Sequence, residues 1–533
     1  MLSVRDSWSH DIYTLAGKRT VTEVTLWCKF HRKQVFPPPP LTPPKSPFAF
    51  DVVAEAGRLR FLEDRKLASI VESLHGRGLP RLPLRTVQRL TDRFLLYQMA
   101  VHLENFPRLR GELRQRGGYV LVLDSTGIAG RMTLVLTDDD ESGGTGWTLL
   151  AAPTEKESPD EVRPFLKLLK DALGPPLAGI SDQSDGLRDP FREVFPGVYL
   201  LLCQFHVLRS IGESLAGKLY GRFKREVDQS GAKGALRRLA RRLGKKGGAS
   251  REARETRAWI EEILAWEKAA QGRTFPFFWE ALEFYRRCRK VEGELDAALS
   301  RPGRRAKGAP YLELKKVLER LLPPPMPRVR LARDFPLLEE KWGWYERIRR
   351  AVGFRNGPVP LSPKGTLSDR GLERGRRRLD WLLGKMEEER SEKSRSPRIR
   401  EFHAQLGKIA EKLRAHREEL FAPNVRVKVG GRWKVRRIHR SNGAAERKFH
   451  RLRGHGRSIA ATKDVEDLIQ REGPGTLVAQ NLKDAHYVRV VYGDLSHLGE
   501  RFAHVSGEAL AEAKSILTRR TEFTSGREAL GQQ

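Results

Sequence analysis

"GYVLVLDSTG", residues 118–127, sets five apolar side chains, Tyr119 to Leu123, directly before Asp124 and a Ser-Thr-Gly turn. An apolar run this short, bounded by turn residues, reads as a buried strand that ends in an acid. "RMTLVLTD" (131–138) follows, then the polar turn "DDESGGTG" (139–146), then "WTLLAAPT" (147–154). Three strands joined by short loops make a meander. "SPDEVRPFLKLLKDALG" carries a helix start, with Ser158 as N-cap, Pro159 at the first helical position and Glu161 closing a capping box. "LAGISD" reads as another buried strand ending in acid, Asp182. The helix "GLRDPFREVF" leads to the strand "GVYLLLC", and after His206 the apolar residues Leu208, Ile211, Leu215, Leu219 and Phe223 recur at helical spacing.

The order β-β-β-α-β-α-β-α is that of a ribonuclease H-like α/β fold, and residues 113–215 are assigned to the first part of such a core. Ligand sites in open sheets lie at the carboxyl ends of strands, where Asp124 and Asp182 stand. In this topology their strands run parallel and adjacent. Residues 216–420 read as helices and basic loops, a large α-helical insertion. Residues 421–533 hold a β-hairpin around Gly430-Gly431, "NVRVKVGGRWKVRRI", and a later helix with Glu446 that completes the core.

Upstream, the proline-rich stretch in 36–48 reads as a stiff linker, because each proline fixes φ and removes a donor. It separates an N-terminal segment, 1–35, from a helical region, 49–112. There Leu67, Ile70, Val71 and Leu74 form one apolar stripe, and Val87, Leu90 and Phe94 another. The second helix turns Arg85, Gln88, Arg89 and Arg93 outward, which suits a helix-turn-helix or an ordinary hairpin with a basic face. Arg426 and Lys428 on the β-hairpin are further candidate DNA contacts.

The 533 residues include 100 Lys and Arg against 67 Asp and Glu, a net charge of +33 with a pI near 10.3. Self-repulsion on that scale points to a polyanionic partner, nucleic acid. Three cysteines, Cys28, Cys203 and Cys288, exclude a disulfide scaffold. Two Cys-x-x-His pairs exist, Cys28 with His31 and Cys203 with His206, and sharing one zinc ion between them is the weaker reading. The absence of an 18-residue apolar run or signal peptide predicts a cytoplasmic protein without a membrane partner.

Asp124, Asp182 and Glu446 suit two Mg²⁺ or Mn²⁺ ions, since hard cations take oxygen ligands. Such ion pairs, about 3.5–4 Å apart, drive phosphodiester chemistry. Asp124 would bridge both ions, Asp182 hold one and Glu446 the other. Each acid also has a plain structural role open to it: Asp124 in a turn, Asp182 as a helix cap with Asp185 the ligand instead, Glu446 on a solvated helix.

Three blocks carry a family resemblance. "GISDQSDGLRDPFREVFPGVYLLLCQFHVLRSIGE" resembles the segment of bacterial insertion-sequence transposases, and of their Mutator-like relatives, that holds the second catalytic Asp and a Cys-x-x-His pair. "YVLVLDSTG" is similar to the first Asp block, and "HRSNGAAERKFHRLRGHGRS" to the Asn-rich stretch with the catalytic Glu. The resemblance spans roughly residues 50–500 and implies a DDE transposase, cleaving and joining DNA with two divalent ions. It places Cys203 and His206 at or near the active site, and Asn442, Arg447 and His206 at phosphates. It also implies terminal inverted repeats and target DNA as partners, nucleoid association, and a homodimer or larger synaptic assembly. Relatives often carry an N-terminal zinc ribbon, of which Cys28 and His31 would be a remnant. The alternatives are a domesticated, inactive DNA-binding derivative and a ribonuclease H-like nuclease.

Overall fold

The computed structural model describes residues 2–35, 41–128, 131–139, 146–245, 250–270, 273–300, 309–322, 330–353, 366–392, 396–462 and 464–518. Residues 36–40 of the proline run and 140–145 of the polar turn lie outside these. The chain divides into two units: Met1–Leu201 with Asn424–Gln533, and Leu202–Pro423. The sequence boundaries at 216 and 420 differ from this division. The first was drawn inside a continuous helix, Gln204–Gln229, whose buried face belongs to the second unit's core.

The first unit opens with an antiparallel sheet of β1 (Leu2–Thr14), β2 (Gly17–Cys28) and β3 (Lys33–Val35). Helices α1 (Phe50–Gly57), α2 (Leu67–His75), α3 (Leu84–Glu104) and α4 (Phe106–Gln115) follow. The apolar stripes predicted on α2 and α3 are buried. The last two turns of α3 are buried as well, from Tyr97 to Leu103, so only its first turns present a polar face.

A mixed five-stranded sheet comes next. It contains β4 (Val120–Ile128), β5 (Arg131–Asp138), β6 (Thr148–Thr154), β7 (Ala178–Ser181) and β8 (Tyr199–Leu202), in the order β6-β5-β4-β7-β8. The meander β4-β5-β6 is antiparallel, and β7 joins β4 in parallel. Val120, Leu121, Val122 and Leu123 are all essentially inaccessible. Neighbours on a strand point to opposite faces, so helices must cover both sides of β4, which explains an unbroken apolar run. Between β6 and β7 lies α5 (Pro159–Leu173), and between β7 and β8 lies α6 (Asp185–Val194). The capping box at α5 is corrected: Ser158 makes no side-chain cap, and Glu161 accepts the backbone N–H of Glu155 at 2.7 Å. Pro159 does occupy the first helical position, as read from the sequence.

From α7 (Gln204–Gln229) onward, the described regular elements of the second unit are helices joined by turns and loops. Its core gathers Phe223, Trp279, Tyr285, Tyr311, Trp344, Tyr345 and many leucines. Two later helices matter below, α8 (Arg330–Ala351) and α9 (Pro397–Ala415). The chain then re-enters the first unit as the hairpin β9 (Val425–Val429) and β10 (Arg432–Arg436), followed by α10 (Gly443–Ala460) and α11 (Val465–Glu472). Both α10 and α11 pack on β4. Among the described residues no helix is long and apolar enough to cross a membrane.

Candidate active site

The register of the central sheet brings Asp124 and Asp182 level. Val120 pairs with Ala178, Leu121 with Gly179 and Val122 with Ile180. Asp124 lies two residues beyond Val122, and Asp182 two beyond Ile180. On strands roughly 4.8 Å apart, equal steps in a parallel pair stand side by side. The strand end and turn expected at Asp124 are corrected: pairing with β5 carries β4 on to Ile128, so Asp124 lies within the strand, whereas β7 stops just before Asp182. Gly179 helps to set this arrangement, because a Cβ there would sit 2.5 Å from the Phe191 ring. Only glycine lets α6 lie so close on β7. Asp182 follows directly and accepts the Ser184 N–H at 2.9 Å, so it also shapes the start of α6. The alternative Asp185 points away, exposed and 3.3 Å from Arg188 Nη1.

The third element arrives through a series of anchors. Gly117 holds φ at +87°, and the methyls of Val427 and Val429 press against it. Arg436 donates to the Gly118 and Asp139 carbonyls, and His439 Nδ1 lies 2.6 Å from Asp139 Oδ2. The chain then turns into α10, where Asn442 is fully buried and donates from Nδ2 to Asp124 Oδ2 at 2.8 Å. Glu446 begins the hydrogen-bonded part of the helix through the Asn442 carbonyl and is half-buried.

Asp124 itself is 6% exposed. Its carboxyl is held well above the usual carboxylate range, first by burial and then by repulsion from Glu446 and Asp182. The Ser125 N–H and the Asn442 amide favour the charged form and do not offset this. Glu446 and Asp182 are thus both near enough to Asp124 to disfavour its charge.

Two further acids adjoin the strand, and sequence reading did not find them. Ser125 Oγ donates to Glu157, and Thr126 Oγ1 donates to Glu466 Oε1 at 2.8 Å. Glu466 lies in the first turn of α11, which Asp464 caps by accepting the N–H groups of Glu466 and Asp467. A buried ion pair, Arg60 with Glu472, fixes the far end of that helix. Neither Glu157 nor Glu466 carries a local motif; only the folded strand reveals them. Lys448 was also missed, although it was legible as a cation on the stripe Ala444, Ala445, Phe449, Leu452. It is buried and donates to Asn481 Oδ1 at 3.1 Å.

The remaining sequence candidates take these positions. Arg447 is half-buried, with Nη2 at 4.0 Å from Asp139 Oδ1. Cys203 is buried at the start of α7, and His206 is half-buried in its first turn with its ring edge-on to Phe205; both belong to the second unit. Arg85 and Arg89 are exposed on α3, whereas Gln88 bonds to Asp92. Arg93 is half-buried, and its guanidinium donates to the Lys45 carbonyl at 3.4 Å. Arg426 and Lys428 are exposed. Cys28 Sγ meets His31 Nδ1 at 3.3 Å across the β2-β3 turn.

Among the described residues no group of three or more His, Cys, Asp or Glu stands together as a ready-made ion cage, at Cys28 or at Asp124. The donor chemistry around Asp124 nevertheless fits a hard divalent cation. The acids offer oxygen only, and their mutual repulsion is what a cation would relieve. No family model matches the chain, and no curated protein matches it.

Proposed function

We propose that the protein is a DDE transposase with a ribonuclease H-like core, cleaving DNA and transferring the freed strand. The observation that carries this reading is the level placement of Asp182 beside buried Asp124, with the amide of Asn442, the residue whose carbonyl accepts the Glu446 N–H, on the same carboxyl. Asp124, Asp182 and Glu446 would hold two Mg²⁺ or Mn²⁺ ions, which supply activation of the attacking oxygen and stabilisation of the leaving one when bound. Asn442 orients Asp124. The Arg436 and His439 anchors on Asp139 hold the start of α10, and hence Glu446, at the sheet. Arg85, Arg89, Arg426 and Lys428 offer phosphate contacts to a duplex, in keeping with the net charge of +33.

The test is nicking of supercoiled plasmid with Mg²⁺ or Mn²⁺, together with joining of a labelled 3′-OH oligonucleotide to that plasmid. Both reactions should need the metal and should vanish in D124N, D182N and E446Q. Nicking without joining would reduce the protein to a nuclease. DNA binding that ignores EDTA, with no nicking in any metal, would leave only a DNA-binding derivative.

A further inference from the structure

The hairpin that anchors α10 has a second face. Lys428 stands opposite Trp433, and Arg426 opposite Val435. Directly opposed residues of an antiparallel pair share a face, so Arg426, Lys428, Trp433 and Val435 form one surface. The other face carries Val427 and Val429, which cover Gly117. Trp433 is 70% exposed and Val435 46% exposed on the outer face. From Asn424 to Arg440 the sequence contains no Asp or Glu. Among the described residues, none of Arg426, Lys428, Arg432 and Lys434 is held by a carboxylate. Gly430 and Gly431 both have positive φ, +57° and +80°, the requirement of a tight type I′ turn whose twist matches the strands. The ring is therefore presented on a short, stiff ribbon with cations on either side.

We propose that this outer face is a stacking platform for an unpaired DNA base, with Trp433 under the base and Arg426 and Lys428 on the flanking phosphates. The proposal rests on the reading of DNA as substrate. An aromatic ring offers a base its π-face whatever the sequence, and neighbouring cations track the backbone. Within a duplex, each base face is covered by its neighbours. A ring on the face of a ribbon reaches a base only where pairing is broken, as at a DNA end or a distorted junction. A protein partner would have to bring its own carboxylates to these cations, whereas a nucleic acid carries a phosphate beside every base.

The experiment measures binding of the full chain, in EDTA, to a labelled duplex and to the same duplex with a single-stranded tail. W433A should weaken binding to the tailed DNA on the order of tenfold, while changing duplex affinity by less than about twofold. W433F should restore most of the difference. R426A with K428A should weaken both substrates and flatten the salt dependence, as lost phosphate contacts do. Unchanged affinity of W433A for tailed DNA overturns the platform, as does an equal loss on both substrates. A change in oligomeric state without a change in DNA binding would also overturn it, making the face a protein interface. Wild-type protein that never nicks DNA, yet keeps the Trp433-dependent preference, would sink the transposase reading and leave the platform standing.

Discussion

Each unit of the protein buries an aspartate, and the two have opposite company. Asp334 on α8 is 1% exposed and accepts Arg222 Nη2 of α7 at 2.7 Å and Arg398 Nη2 of α9 at 2.5 Å. Burial alone would raise its carboxyl, but the two guanidinium groups outweigh that and hold it below the usual range. Asp124 is as hidden, yet its charged neighbours are acids, and its carboxyl is pushed up. The Asp334 arrangement ties three helices together and asks for nothing more. The Asp124 arrangement opposes folding until a proton or a cation neutralises it. Perturbed carboxyls of this second kind gather at functional sites.

Removing each charge should separate the two roles. D124N should cut metal-dependent nicking by roughly a thousandfold or more, the scale for one member of a group acting as a unit. It should also stabilise the first unit at neutral pH, since a buried carboxylate repelled by two others disfavours the folded state. D334A should do the reverse, leaving chemistry per folded molecule intact. Its cost should be about 2 kcal/mol, less than for a fully buried pair because both arginines are partly exposed. Denaturant melts beside nicking assays read both effects. The pH dependences have opposite signs. Asp334 contributes stability above the ordinary carboxyl value of 3.8 and loses it as pH falls through its lower folded value. Asp124 costs stability as pH rises from 3.8 toward its raised folded value, because the unfolded chain ionises first. Mn²⁺ that raises the melting midpoint of wild type but not of D124N would locate the neutralising ion at this carboxyl. Equal shifts in both would place it elsewhere.

A milder change probes the same point. N442A removes the amide from Asp124 without touching an acid. Activity should fall about 10–100-fold, as when a group orienting a ligand is lost. Stability should fall by about 1 kcal/mol, the worth of one hydrogen bond. Full activity in N442A would mean that Asp124 is positioned by its strand alone.

Much of this contrast was legible from residue order. The apolar runs that stop at Asp124 and Asp182 announce themselves, but only β7 ends there; β4 continues as a strand to Ile128, because its pairing with β5 is not encoded in the apolar run. Glu446 was reachable only with its Asn-rich surroundings in view. Asp334 gave no sign: "RDFPLLEE" reads as an ordinary charged helix, and the partners Arg222 and Arg398 lie far away in sequence. Glu157 and Glu466 were hidden for the same reason, since each meets β4 through a contact no local pattern encodes. Trp433 carries no such sign within the hairpin sequence. Alternation shows which residues share a face of a ribbon, not which face the protein covers.

Lys448 adds a third kind of buried charge to the pair of aspartates. Its ammonium lies in α10, two residues beyond Glu446, and is pushed down to about 7, first by burial and then by Arg451. Asp484 and Asp138 pull the other way and Arg447 adds to the lowering. The usual lysine value is 10.5, so between about pH 7 and 10.5 the unfolded chain binds a proton that the folded chain lacks. Stability should therefore rise with pH across that window. K448M should flatten the rise and exceed wild type most near pH 7, with the gap closing toward pH 10. Asn481 Oδ1 keeps its bond from the Thr148 N–H at 2.9 Å, so the substitution strands no acceptor. Denaturant midpoints at four pH values between 7 and 10 would show this. Parallel slopes for wild type and K448M would mean that the amine keeps its proton, and that Asp484 and Asp138 hold Lys448 much as the arginines hold Asp334.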